Sequence, residues 1–187
     1  MHYEEPVFRP PSEASSLLLP VTVGCSRNRC TFCGMYATKT YRELDLDTVF
    51  ADIEEAHASP WRHRRVFLLD GDALSAPLDF LATVLDRIRE RLPWVERVGA
   101  YGESAAILKK GLDGMRHLRE RGLGIVYHGL ESGNEDVLKR VRKPETMERM
   151  VRAGQTMRAA GVRYSVMALL GLAGVERSEA HARDTAV

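Results

Sequence analysis

Three cysteines, Cys25, Cys30 and Cys33, fall within nine residues, and the chain has no others. An odd count, with Cys30 and Cys33 only three apart, does not make a disulfide framework; such a group of thiols suits metal binding or redox chemistry. Thiolates are the usual ligands of iron–sulfur clusters. A [4Fe–4S] cube has four irons, so three cysteines leave one iron open to a non-protein ligand, which chemistry at a metal requires. The competing use is a structural zinc site closed by one of the six histidines. No histidine lies at finger-like spacing, the nearest downstream being His57.

The elements that must position these thiols are legible as an alternation of short apolar runs and longer amphipathic ones, which is an α/β pattern. Strands are predicted at Leu17–Val23, Arg65–Asp70, Val95–Ala100, Leu123–Leu130 and Tyr164–Gly171. Helices are predicted at Asp47–His57, Pro77–Arg91, Leu112–Arg121, Asn134–Val141 and Glu145–Ala160, with Gly122 and Gly161 as helix-ending glycines. Right-handed crossovers would wrap such units into a curved sheet or open barrel. A closed eight-stranded barrel needs about 250 residues, so 187 residues give a partial one. The expected organisation is a lead-in over 1–16 and a barrel over 17–187, stopping after the fifth β–α unit as in a fragment of a longer protein.

Bulk composition adds only exclusions. Charges nearly cancel, 27 Lys+Arg against 26 Asp+Glu, so net charge gives no reason to expect nucleic-acid or membrane binding. The longest apolar run, Val166 to Val175, is far short of the roughly 20 residues of a membrane span. With no secretory pattern at Met1–Pro11, a cytoplasmic location is expected.

The loop Gly24-Cys25-Ser26-Arg27-Asn28-Arg29-Cys30-Thr31-Phe32-Cys33 follows the first strand and ends Cys-x-aromatic-Cys. It resembles the radical S-adenosylmethionine (radical SAM) superfamily, and in detail the branch of oxygen-independent coproporphyrinogen oxidase, the elongator acetyltransferase subunit and the methylthiotransferases. The usual spacing is Cys-x3-Cys-x2-Cys; here it is Cys-x4-Cys-x2-Cys. Asp70-Gly71-Asp72 stands in the place of the motif that holds the SAM amino group, Gly71 and Asp72 being the matching residues. Gly129-Leu130-Glu131-Ser132-Gly133 is similar to the element near the SAM ribose, with Glu131 and Ser132 as its polar groups. The same alignment puts Lys143 on the SAM carboxylate, with Arg140 and Arg142 as competitors, and Gly171 beside the adenine. Phe32 would shield the cluster or touch the adenine.

The resemblance implies a radical SAM enzyme with a [4Fe–4S] cluster and SAM as cofactors. Reductive cleavage of SAM would give a 5′-deoxyadenosyl radical that takes hydrogen from a small-molecule substrate. An electron donor such as flavodoxin or ferredoxin would serve it. The alternative is a non-catalytic iron–sulfur or zinc-stabilised module. The apolar fifth strand, without an outer neighbour, is expected to self-associate.

Overall fold

A computed structural model describes residues 1–186; the end of the expected barrel at Val187 lies outside the described residues. Strands β1 (Leu17–Pro20), β4 (Arg65–Leu69), β5 (Arg97–Tyr101), β6 (Leu123–Glu131) and β7 (Arg163–Ala168) form one sheet in the order β1-β4-β5-β6-β7. Every neighbouring pair is parallel, as a run of right-handed β–α crossovers dictates. The predicted partial α/β barrel is what the chain forms.

Two short strands, β2 (Thr22–Val23) and β3 (Arg42–Glu43), make a separate antiparallel pair. The sequence reads Leu17–Val23 as one strand; the chain leaves the main sheet at Val21. Thr22 explains the departure, because its hydroxyl donates to the Leu69 carbonyl at 3.1 Å and accepts from the Asp70 amide at 3.0 Å. The β2–β3 pair therefore closes the base of the loop that carries the three cysteines.

The helices are α1 (Leu46–Ala58), α2 (Leu78–Arg91), α3 (Ser104–Glu120), α4 (Glu135–Arg140), α5 (Met147–Ala159) and α6 (Ser178–Thr185). Asp45, Asn134 and Thr146 cap α1, α4 and α5 by accepting the amides of Thr48, Val137 and Arg149, each such cap contributing about 1 kcal/mol. The helix expected at Leu112–Arg121 begins earlier, at Ser104, and is broken at Gly111, which takes φ 67°. That break, beside Lys109 and Lys110, hid the first half from a periodicity reading.

Strand alternation divides the interior in two. Val66, Leu68, Val98, Ala100 and Val126 face the helices and pack with Ile53, Leu85, Ile88, Ile107, Met115 and Met157. Phe67, Leu69, Ile125 and Tyr127 fill the concave side. A short 3₁₀ turn, Pro11–Glu13, sits at the N-terminal end of the strands, where fully buried Glu13 pairs with Arg97 and accepts from the Tyr127 hydroxyl at 2.6 Å. Tyr127 thus belongs to the base of the barrel. The lower half is packed, and the opposite mouth, at the C-terminal strand ends, is left for chemistry.

The outer edge of β7 has no partner strand among the described residues. Val166 there is 50% exposed and Leu170, just beyond it, 90%. Val166→Lys and Leu170→Lys should each leave stability within about 0.5 kcal/mol, as exposed positions do. In sedimentation velocity both should shift the chain toward monomer relative to the parent. A parent that is already monomeric at the concentrations tested contradicts the edge reading.

Candidate functional site

The cysteine loop is held to the barrel by the turn after β4. Asp70 is buried, and its Oδ2 accepts from the Gly24 amide at 3.0 Å and from Lys39 Nζ at 2.9 Å. The Gly71 amide donates to the Gly24 carbonyl at 3.0 Å. Asp72 Oδ2 accepts from the Ser26 hydroxyl, and its Oδ1 accepts from the Glu103 amide at 3.1 Å. Three consecutive residues therefore grip the first and last parts of the loop. Gly71 is required for another reason: a Cβ there would lie 2.5 Å from the Tyr36 ring.

Inside the loop, Asn28 donates to the carbonyls of Tyr36 and Lys39, cross-bracing the segment that contains the additional residue between Cys25 and Cys30. The Thr31 amide donates to the Val141 carbonyl at 2.9 Å, tying the loop to the end of α4. Burial pushes the Cys25 thiol up to about 12 and raises Cys30 as well. Without a metal, Cys25 is a neutral thiol at physiological pH, so binding one must release its proton.

All three cysteines line one cleft of about 420 Å³ at the C-terminal ends of the strands. Phe32, Gly71, Glu131 and Lys143 line it too, together with Tyr36, Tyr101, Glu103 and the β7 residues Met167, Ala168 and Leu169. The Tyr36 hydroxyl is buried there without a hydrogen-bond partner among the described residues. Of the three basic candidates, Lys143 is the one in the cleft. Arg140 instead donates to the Leu172 carbonyl at 3.2 Å, and Arg142 is exposed.

Three expected residues lie elsewhere. Asp72 is 1% exposed and both its oxygens are engaged by Ser26 and Glu103; burial pushes its carboxyl up to about 7. Ser132 is fully buried, bonded to His181 Nδ1 of α6 at 2.8 Å and to the Asn134 amide at 3.0 Å. Gly171 sits in an exposed turn beyond β7 with φ 79°. His128, as strand alternation implies, faces the helices: Nδ1 donates to the Gly102 carbonyl at 3.0 Å, and its ring stacks on Tyr164.

The sequence reading missed Glu103, which follows β5 and reaches Lys143 Nζ with both oxygens at 3.1 and 3.3 Å. Its place just past a strand's C-terminal end was the available signal. Glu145 lies beside this pair, buried, its Oε2 without a hydrogen-bond partner among the described residues. Desolvation, and then the Glu103 charge, push its carboxyl up to about 7. Burial raises Glu131 as well, against the Lys143 charge.

The family model described as the radical SAM superfamily matches residues 19–185. A search of curated proteins finds no significant match. Among solved structures, the chain is similar to the cobalamin-dependent S-adenosylmethionine radical enzyme OxsB with aqua-cobalamin and S-adenosylmethionine bound. The identity is 17% and the TM-score 0.69, over 87% of this chain and 26% of that one. It is similar also to the radical S-adenosylmethionine methyltransferase TsrM from Kitasatospora setae, with tryptophan and a SAM analog bound (18%, TM-score 0.65, 83% and 30%). A third is anSMEcpe with bound AdoMet and a peptide (13%, TM-score 0.66, 90% and 47%). At these identities the likeness is one of fold, and the chain spans about a quarter to a half of those proteins. No helix among the described residues is long and apolar enough to cross a membrane.

Two measurements check the site's electrostatics. Asp70→Ala strands the Lys39 ammonium, whose side chain is 4% exposed; urea unfolding should show a loss of about 3–5 kcal/mol, partly recovered by adding Lys39→Met. The Glu145 carboxyl, raised toward 7 in the folded chain, binds its proton more tightly folded than unfolded, so its contribution to stability falls as pH rises from the ordinary carboxylate range to 7. Glu145→Gln removes that loss. Its melting temperature relative to the parent should therefore be higher at pH 8 than at pH 5, and an equal difference at both would contradict the assignment.

Proposed function

The chain belongs to the radical SAM superfamily, and on that premise we propose that its cleft binds a [4Fe–4S] cluster and SAM for radical chemistry. The observation that carries this reading is the convergence of Cys25, Cys30, Cys33, Phe32, Glu131 and Lys143 on one cleft at the C-terminal strand ends. The donor set fits the cluster. Three thiols face the cleft and the chain holds no fourth cysteine, so one iron is left to an exogenous ligand. A structural zinc site is closed by four ligands, and no histidine lines the cleft beside the three thiols.

Cys25, Cys30 and Cys33 would hold the cluster, which when bound would supply the one-electron reduction that splits SAM into methionine and a 5′-deoxyadenosyl radical able to take hydrogen from a substrate. The chain's own residues bind, orient and exclude water. Lys143, drawn into the cleft by Glu103 and held 4% exposed, meets the SAM carboxylate. Glu131, at the end of β6 and facing the same space, accepts hydrogen bonds from ribose hydroxyls. Phe32 and Tyr36 wall the cluster from solvent, and Met167 and Leu169 supply an apolar side for the nucleoside. Asp72 and Ser132 act as positioning groups, the first on Ser26 and Glu103, the second on α6. The reaction class and the substrate, a small molecule in this reading, are set beyond the SAM-binding groups. A flavodoxin- or ferredoxin-type donor supplies the electron.

Anaerobic reconstitution should load about four irons per chain, giving a brown protein that bleaches in air. Replacing any one of Cys25, Cys30 or Cys33 with Ala should abolish the intact cluster, as read by iron analysis and visible absorption. Glu131→Ala should keep the iron and lose about ten- to a hundredfold in SAM affinity, the worth of a charge-assisted hydrogen bond. Stoichiometric zinc without iron would overturn the proposal.

A further inference from the structure

The family resemblance implies that Asp72 holds the ammonium of SAM, yet both Asp72 oxygens are taken and the side chain does not line the cleft. The carboxylate that does reach the cleft at this point is Glu103, whose amide Asp72 holds in place. Glu103 occupies the N-cap position of α3, but its side chain accepts no helix amide. It turns instead to Lys143.

This ion pair has a particular chemical shape. One acid and one ammonium, both nearly buried, stand side by side in a cleft. An α-amino acid carries its ammonium and carboxylate on a single carbon, so its two charges also arrive side by side, with opposite order. If a ligand's carboxylate took Lys143 and nothing else changed, Glu103, only 12% exposed, would lose its one salt-bridge partner among the described residues, which is costly. Glu131 adds negative charge, and Glu145, whose carboxyl the Glu103 charge pushes up, offers Glu103 a proton but no cation. A ligand that brings its own amine hydrogens to Glu103 as it takes Lys143 leaves no charge stranded.

We propose that Glu103 receives the amino group of SAM while Lys143 receives its carboxylate, the internal ion pair being the template for the amino-acid end of the ligand. The proposal rests on the cleft being a SAM site. Asp72 is then the positioning residue that links the cysteine loop, through Ser26, to the ligand's amino group, through Glu103.

The rival role for Glu103 is a competitor that occupies Lys143 and must be displaced, and the two roles predict opposite signs. Equilibrium dialysis of the anaerobically reconstituted chain against SAM and against 5′-methylthioadenosine, which lacks the amino-acid end, separates them. Glu103→Gln should bind SAM about ten- to a hundredfold more weakly and bind 5′-methylthioadenosine as the parent does. Glu103→Asp, which keeps the charge on a shorter arm, should fall between parent and Gln variant. Unchanged 5′-methylthioadenosine binding and cluster absorption show that the variants are folded. Glu103→Gln binding SAM as tightly as the parent, or more tightly, overturns the proposal and makes Glu103 a competitor. A parent that binds neither nucleoside fails earlier, at the SAM reading itself, and takes the proposal with it.

Discussion

Asp70 and Lys39 form a buried ion pair, each side chain 4% exposed, between the turn after β4 and the far end of the cysteine loop. Removing either partner alone leaves a charge without water, so the pair behaves as a latch. Gly24, at the near end of the loop, is bonded to the same carboxylate and to the next residue of the turn. Loops longer than about 12 residues are seldom rigid on their own. This one is fixed because a single strand end holds both of its ends, while Asn28 braces its middle. That arrangement carries the three thiols along one cleft.

The same turn reaches the other half of the site. Asp72 joins Ser26 of the loop to the Glu103 amide, and Glu103 holds Lys143, which follows α4. The Thr31–Val141 hydrogen bond closes the circuit from the loop to α4. A change in the loop is thus felt at Lys143 by two short routes. Low dielectric strengthens each link and makes any broken one expensive, which suits a site that must hold a cluster and a charged ligand in fixed relation.

Much of this is legible in the sequence; the remainder depends on partners far away in the chain and on where a strand stops. Leu17–Val23, Arg65–Asp70 and Leu123–Leu130 read as strands because buried parallel strands are continuous apolar runs, and the structure keeps the greater part of each. The cysteines read as cluster ligands because thiol chemistry narrows the choice, and Lys143 was picked out by its place in a motif. Motif position, however, does not say which way a polar side chain turns. The partners of Asp72 lie 46 and 31 residues away, and that of Ser132 lies 49 away. Short-range pattern carries no trace of Ser26, Glu103 or His181 as partners. Gly171 was matched by the glycine itself, whereas β7 ends at Ala168 and the cleft wall stops at Leu169. Glu103 carries no motif of its own, and the break at Gly111 hides the helix that it opens.

The central claim is that three cysteines leave one iron for SAM to occupy. Electron paramagnetic resonance of the reconstituted, reduced chain, recorded before and after adding SAM, addresses that iron directly. The account predicts a [4Fe–4S]⁺ signal whose shape changes when SAM is added, because the ligand set of one iron has changed. A cluster signal that stays the same in the presence of saturating SAM would contradict it.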